Sequence, residues 1–155
     1  MATTREIIDD FLRQRRIAVV GVSREPRDFS RAVLRAFNEH GYETVAVNPR
    51  ATELAGEECF ASVREVRPAV DAALVMTAPG MTEAVVRDCL AAGLRRIWLH
   101  RGAGRGAVSE PALALCREAG VAVVPGACPM MFLPQAGLAH RVHALVLRLL
   151  GRYPR

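Results

Sequence analysis

Short apolar runs alternate along the chain with helical segments, and this alternation limits the fold more than any other feature. Each run holds four or five residues, and the amphipathic segments between them end at glycines such as Gly41, Gly93 and Gly120. Buried strands joined by helices are typical of a parallel sheet with right-handed crossovers and helices on both faces. We therefore predict an α/β fold, a doubly wound parallel sheet of about five strands in the order 3-2-1-4-5. The predicted strands are Ile17–Val20, Thr44–Val47, Ala72–Met76, Arg96–Leu99 and Val121–Val124.

Amphipathic helices are predicted at both ends of the chain. Apolar residues at helical spacing indicate a lead-in helix within residues 1–15, capped by Thr4, and a closing helix over 135–151. Between the second and third strands, the polar stretch Glu53–Phe60 predicts a surface excursion, followed by a short helix at Ser62–Val66. We expect 1–155 to form one Rossmann-like domain that buries about 70% of its unfolded surface.

Charge and cysteine content narrow the class of protein. The net charge is +5, and the sequence contains arginine but no lysine. Binding of an anionic small ligand is enough to explain this positive charge, so the charge does not indicate nucleic-acid binding. The four cysteines are widely spaced and include no C-x-x-C pair, which predicts reduced thiols rather than a metal site or a disulfide framework. The sequence has neither a secretory leader nor a run of 18 apolar residues. We therefore expect a cytoplasmic protein that does not act at a membrane.

The first strand leads into a loop of the kind that holds phosphates. Gly21, Val22 and Ser23 follow the strand directly, and a helix is predicted to begin near Ser30. The start of a helix leaves backbone N–H groups unpaired and carries the positive end of the helix dipole, which together attract an anion. In a doubly wound sheet the ligand binds beyond the carboxyl ends of the strands, where the strand order reverses. With the predicted order, that point lies between strands one and four.

The same loop lacks the features of a dinucleotide-binding protein. The G-x-G-x-x-G pattern is missing, and Asn48-Pro49 stands where an acidic residue binds the ribose of NAD. NAD is therefore disfavoured as the ligand. We predict instead that hydroxyl groups and arginines hold the phosphates. The candidate arginines are Arg24, Arg27 and Arg31.

Several segments carry a likeness to a known family. They are Gly21–Pro26, Phe29–Val33, Gly41-Tyr42, Val45–Pro49 and Leu54–Val63. Together they resemble the small stand-alone CoA-binding proteins, which are relatives of the N-terminal domain of the succinyl-CoA synthetase alpha subunit. The likeness extends over about residues 15–130. One departure is the turn Met76–Gly80, where the family commonly has a valine-proline-proline turn.

The resemblance implies a ligand and a set of binding residues. The ligand is coenzyme A or an acyl-CoA, bound in the cleft at the strand ends. The implied site consists of Gly21, Ser23, Ser30, Arg31, Asn48, Pro49, Arg50, Thr77, Ala78 and Pro79. To these we add Val22, Arg24 and Arg27, which belong to the same loop after the first strand. In the ligase relatives an active-site phosphohistidine lies in a second domain, for which this sequence has no counterpart. The resemblance therefore implies a ligand and a fold, and no reaction.

Two functions remain open. The first is a non-catalytic or regulatory protein that stores, senses or presents coenzyme A. The alternative is a small CoA- or nucleotide-dependent transferase or hydrolase, which uses Cys128 with His100 as base, or residues of a partner subunit. A transcription regulator is excluded because the segment before the first strand is too short for a helix-turn-helix. A homodimer or another protein partner is compatible with the sequence. The apolar segment Met130–Leu133 is a candidate for contact with a partner subunit or with the pantetheine of the ligand, but we favour its interpretation as a lid on the core.

Overall fold

The computed structural model describes residues 2–134 and 138–154. Helices and strands alternate along these residues, as the hydrophobic pattern predicts. The helices are α1 (Thr4–Leu12), α2 (Phe29–Glu39), α3 (Pro79–Ala91), α4 (Glu110–Glu118) and α5 (Leu138–Leu149). The strands are β1 (Arg16–Val20), β2 (Glu43–Val47), β3 (Glu53–Leu54), β4 (Glu57–Phe60), β5 (Ala72–Val75), β6 (Arg96–His100) and β7 (Ala122–Ala127). Single turns of 3-10 helix lie at Val63–Glu65 and Pro129–Met131.

The described strands form one sheet in the order β3-β4-β2-β1-β5-β6-β7. All neighbours are parallel except the β3–β4 pair, so the α/β class and the parallel sheet are confirmed. The predicted order 3-2-1-4-5 is wrong. Numbered as predicted, the five principal strands lie in the order 2-1-3-4-5, because the third of them, β5, pairs with β1 rather than outside β2. The strand order therefore reverses on the expected side of β1, but the neighbour there is β5 rather than β6.

The excursion between β2 and β5 explains this difference. Ala55 and Gly56 both have positive φ, 56° and 80°, and join β3 to β4 in a tight hairpin. The end of β4 then pairs with β2, with Cys59 opposite Ala46. The outer edge of β2 is thus occupied by β4, and β5 pairs with the other edge of β1. Sequence analysis missed these two short strands because polar residues interrupt them.

Helices cover both faces of the sheet, as predicted. On one face, α1 and α2 contribute Phe11 and Phe37 to a core that includes Trp98 of β6. On the other face, α3 and α4 contribute Val86 and Cys116. The segment Met130–Leu133 packs against the first core, which agrees with its interpretation as a lid.

The two end helices differ in detail from the predictions. Helix α1 is capped by Thr3, not Thr4. The Thr3 hydroxyl accepts a hydrogen bond from the backbone nitrogen of Glu6, and the Glu6 carboxylate accepts one from the backbone nitrogen of Thr3. Helix α5 falls inside the predicted 135–151, of which 135–137 lie outside the described residues. Its outer face exposes Val142, Leu145, Val146 and Leu149. Among the described helices, none has both the length and the apolar character needed to cross a membrane.

Candidate ligand-binding site

The turn after β1 brings two other loops close to Gly21. This residue has φ +93°, and its backbone N–H donates to the carbonyl oxygen of Val47 at the end of β2, 2.9 Å away. A Cβ built on Gly21 lies 3.0 Å from the backbone carbon of Met76 and from the nitrogen of Thr77, which follow β5. Only glycine allows this backbone conformation and this approach together. The loops after β1, β2 and β5 therefore meet at one point on the carboxyl edge of the sheet.

Asp28 closes the start of α2. It is the N-cap residue, and its carboxylate accepts hydrogen bonds from the backbone nitrogen of Ser30 at 2.8 Å and from the Ser30 hydroxyl at 2.5 Å. The same hydroxyl accepts a hydrogen bond from the nitrogen of Ser23 at 2.9 Å. Ser30 is buried, so its hydroxyl fixes the loop rather than facing the cleft. Sequence analysis missed Asp28, although an Asp just before an amphipathic segment is a common N-cap signal.

The capping carboxylate changes the source of positive charge at the site. A negative group already lies at the N-terminus of α2, where the helix start was expected to attract a phosphate. The Arg31 guanidinium donates to the carbonyl oxygens of Ser23 and Arg24 at 3.3 and 3.4 Å and so braces the loop. Arg24 and Arg27 are exposed. Arginine side chains, more than the helix dipole, must therefore supply the attraction for an anion.

Asn48 ties the loop after β2 to the loop after β1. Its side-chain nitrogen donates to the carbonyl oxygen of Val22 at 2.8 Å, and its side-chain oxygen accepts from the nitrogen of Arg50 at 2.8 Å. Val22 is fully buried, backbone included, so this residue holds the loop in place rather than facing the cleft. Asn48 therefore positions the exposed Arg50 beside the first loop.

Beside these loops lies an open cleft of about 900 Å³, with a neighbouring hollow of about 510 Å³. Arg24 and Arg50 line both spaces, and we call the two together the Arg24/Arg50 cleft. The hollow adds Ser23, Glu25 and Asn48 to the lining. The larger part is lined by Arg24, Pro49, Arg50, Ala51, Thr52, Glu53, Glu58, Cys59, Phe60, Ala61 and Glu65. Glu53, Glu58 and Glu65 line the larger part together with the two arginines, so the arginines are the groups of the cleft that favour an anion.

The loop after β5 carries the remaining predicted residues. The Thr77 hydroxyl lies 3.2 Å from the Thr82 hydroxyl, which lies 3.3 Å from the carbonyl oxygen of Ala78. Ala78 is the N-cap of α3 and offers no side-chain hydrogen bond, and Pro79 begins the helix. Thr77 lies beside Gly21, and none of the three residues lines the Arg24/Arg50 cleft. Arg27 does not line it either.

Cys128 and His100 do not form a nucleophile pair. Burial raises the pKa of the Cys128 thiol above its ordinary value of 9.0, and hydrogen bonds from the backbone of Met130 and Met131 offset part of that rise. Burial lowers the pKa of His100 to about 4, and among the described residues its Nε2 has no hydrogen-bond partner. The thiol is therefore neutral at pH 7, and within the described residues His100 Nε2 makes no hydrogen bond to it.

This environment predicts an unreactive thiol. Alkylation at Cys128, mapped by mass spectrometry across a pH series, should reach half its maximal rate above pH 9 because burial disfavours the thiolate. Cys128→Ala should change the affinity for ligands of the cleft by less than about threefold, since a buried thiol acts as a small apolar group. A reaction pKa below 7 that shifts when ligand is added would instead indicate an activated nucleophile.

Three comparisons place this geometry among known proteins. A family model described as a CoA binding domain matches residues 15–134. The uncharacterized protein YneT of Bacillus subtilis strain 168 is 31% identical over 123 residues, which cover 79% of this chain and 88% of YneT. A solved structure of a hypothetical protein from Pyrococcus horikoshii OT3 superposes with a TM-score of 0.75 at 26% identity, covering 83% of this chain and 88% of that one.

A longer relative shares the same region. The alpha subunit of the ADP-forming acetate–CoA ligase II of Pyrococcus furiosus is 27% identical over 92 residues, which cover 59% of this chain and 20% of the ligase subunit. The likeness therefore spans about a fifth of that protein. Since the family model extends over the sheet and all three converging loops, and YneT matches along most of both chains, this chain belongs to the CoA-binding domain family.

Proposed function

We propose that this protein binds coenzyme A, free or acylated, at the carboxyl edge of its sheet and catalyses no reaction on it. The observation that carries the proposal is the meeting of the loops after β1, β2 and β5 beside two exposed arginines, Arg24 and Arg50. Membership of the CoA-binding domain family supports the choice of ligand. The related acetate–CoA ligase subunit supports an acyl-CoA as an additional ligand.

The residues of the edge fit the charge and shape of coenzyme A. Its diphosphate and 3′-phosphate need several cations, and Arg24 and Arg50 line the same hollow. The absence of a side chain at Gly21 lets the loop after β5 approach its backbone, which brings Thr77 to the same edge as the arginines. The proposed binding residues are Gly21, Val22, Ser23, Arg24, Arg27, Ser30, Arg31, Asn48, Pro49, Arg50, Thr77, Ala78 and Pro79, of which Val22 is buried and supports the loop. Within this set, Ser30, Arg31 and Asn48 act by holding the loops in place.

Two observations favour binding without catalysis. The thiol of Cys128 is buried with a raised pKa, and the imidazole of His100 makes no hydrogen bond at Nε2 within the described residues. A storage, sensing or presenting role follows from a site that holds the ligand without an activated nucleophile. We further propose a cytoplasmic location, which the four free cysteines support because such thiols persist under reducing conditions.

Calorimetry and thermal unfolding test the proposal. Coenzyme A at a hundredfold excess over its Kd should stabilise the fold by about 2.7 kcal/mol, since it binds the folded state alone. Desulfo-CoA should act nearly as well, because the proposed contacts do not involve the thiol. NAD and ATP serve as controls and should bind more weakly. Equal or tighter binding of NAD would contradict the proposal.

A further inference from the structure

His100 lies on the same sheet edge as the proposed site but outside the Arg24/Arg50 cleft. It is the last residue of β6, which pairs with β5, and the loop after β5 contacts Gly21. Its ring centroid lies 5.6 Å from that of Phe29, the first residue of α2. Strands are spaced about 4.8 Å apart, so β6 lies roughly 10 Å from β1 along the edge. A ligand whose phosphates lie near Gly21 can therefore extend one arm to His100.

The Nε2 atom of His100 lacks the partner that a buried polar atom normally has. His100 is only 9% exposed, and within the described residues Nε2 makes no hydrogen bond. Trp98, two residues earlier on the same face of β6, donates its ring N–H to the carbonyl oxygen of Ala127 at 2.9 Å. Most buried polar groups are paired in this way, and an unpaired one costs about 1–3 kcal/mol. The unpaired Nε2 thus marks a place where a partner is missing.

Glycines surround His100 on the side of the loop after β6. A Cβ built on Gly102 lies 3.7 Å from the Cε1 atom of His100, and one built on Gly106 lies 2.2 Å from its carbonyl oxygen. The loop therefore approaches the histidine without placing side chains against it at these two positions. Phe29, on the other side, is 41% exposed. Contact between Nε2 and a ligand therefore requires this ring or the glycine loop to move, and the two glycines leave no Cβ in the way on the loop side.

We propose that His100 Nε2 donates a hydrogen bond to a carbonyl oxygen, amide or thioester, in the uncharged pantetheine arm of bound CoA. This inference rests on the proposed function and adds a second contact region to it. Burial keeps the imidazole neutral at pH 7, since its pKa falls to about 4. A neutral N–H in an apolar setting suits an uncharged carbonyl, whereas a phosphate is better matched by the arginines near β1 and β2.

Comparison of two ligands with one variant tests the inference. His100→Phe keeps an aromatic ring and removes Nε2. Coenzyme A should bind this variant about tenfold more weakly than wild type, while adenosine 3′,5′-bisphosphate, which lacks the arm, should bind within about twofold. The matched control is His40→Phe on the opposite edge of the sheet, where both ring nitrogens contact carbonyl oxygens of Ala36 and Pro134. The control should leave the ratio of the two affinities unchanged.

The melting temperature and the imidazole itself supply further readouts. Without ligand, His100→Phe should melt at or above the wild-type temperature, because an unpaired polar atom is removed from the interior. In the wild type, the 15N resonance of His100 Nε2 should shift on addition of coenzyme A and not of the bisphosphate. This measurement applies even if the variant fails to fold. Equal weakening of both ligands, or an unchanged resonance with coenzyme A bound, overturns the role of His100. Failure of the wild type to bind coenzyme A overturns the proposed function instead.

Discussion

Gly21→Ala is expected to lower the free energy of unfolding by about 2–4 kcal/mol and to weaken binding of coenzyme A at least tenfold. The φ of +93° is unfavourable for alanine, and the new Cβ would lie 3.0 Å from the backbone at Met76 and Thr77. Because the loops after β1 and β5 cannot both keep their positions, the proposed phosphate region and the loop at Thr77 must separate. Urea unfolding and calorimetry measure the two effects.

Gly41→Ala is the matched control for this substitution. Gly41 has φ +85°, close to that of Gly21, but a Cβ built there meets no atom within 4 Å. It therefore isolates the cost of the backbone conformation, about 1–2 kcal/mol, from the cost of close approach. Gly41→Ala should leave the affinity for coenzyme A unchanged. If the two variants destabilise the protein equally, the approach of the three loops at Gly21 does not constrain the site.

The hydrophobic pattern predicted the helices and principal strands of this fold correctly, but it did not predict the order of the strands in the sheet. Each principal strand is a local run of buried residues, so periodicity alone identifies it. Strand order depends on pairings between distant segments, and here the pairing of Cys59 with Ala46 places β4 on the outer edge of β2. The polar residues of β3 and β4 conceal this pairing. Correct placement of the reversal point between β1 and β5 needed the structure.

The candidate site was also predicted only in part from the sequence. Sequence analysis could identify the loops that converge, because each follows an apolar strand. It could not assign roles within them, since a hydroxyl or an amide that faces a ligand and one that braces a loop have the same sequence pattern. Ser30 and Asn48 are braces in the structure, with hydrogen bonds to Ser23 and Val22. Long-range hydrogen bonds of this kind leave no periodic signal.

The arginines of the cleft should dominate affinity. Arg24→Ala and Arg50→Ala are each expected to weaken coenzyme A binding about 10- to 100-fold, because a charge-assisted hydrogen bond to phosphate contributes about 1.5–3 kcal/mol. Both side chains are exposed, so neither substitution should alter the unfolding free energy by more than about 0.5 kcal/mol. Isothermal titration calorimetry at low salt measures the affinities.

Arg87→Ala provides the matched control for charge. Arg87 is exposed on α3, where its guanidinium donates to Glu83 at 2.8 Å, and its removal lowers the net charge by the same amount. If general electrostatic attraction governed binding, all three variants would bind coenzyme A alike. The geometry of the Arg24/Arg50 cleft predicts instead that Arg87→Ala binds as the wild type does. Raising the salt concentration should also weaken wild-type binding more than that of the Arg24→Ala/Arg50→Ala double variant, because the variant has lost the contacts that salt screens. If the double variant binds coenzyme A with wild-type affinity, the phosphates do not lie in this cleft and must instead lie near Arg27 or Arg31.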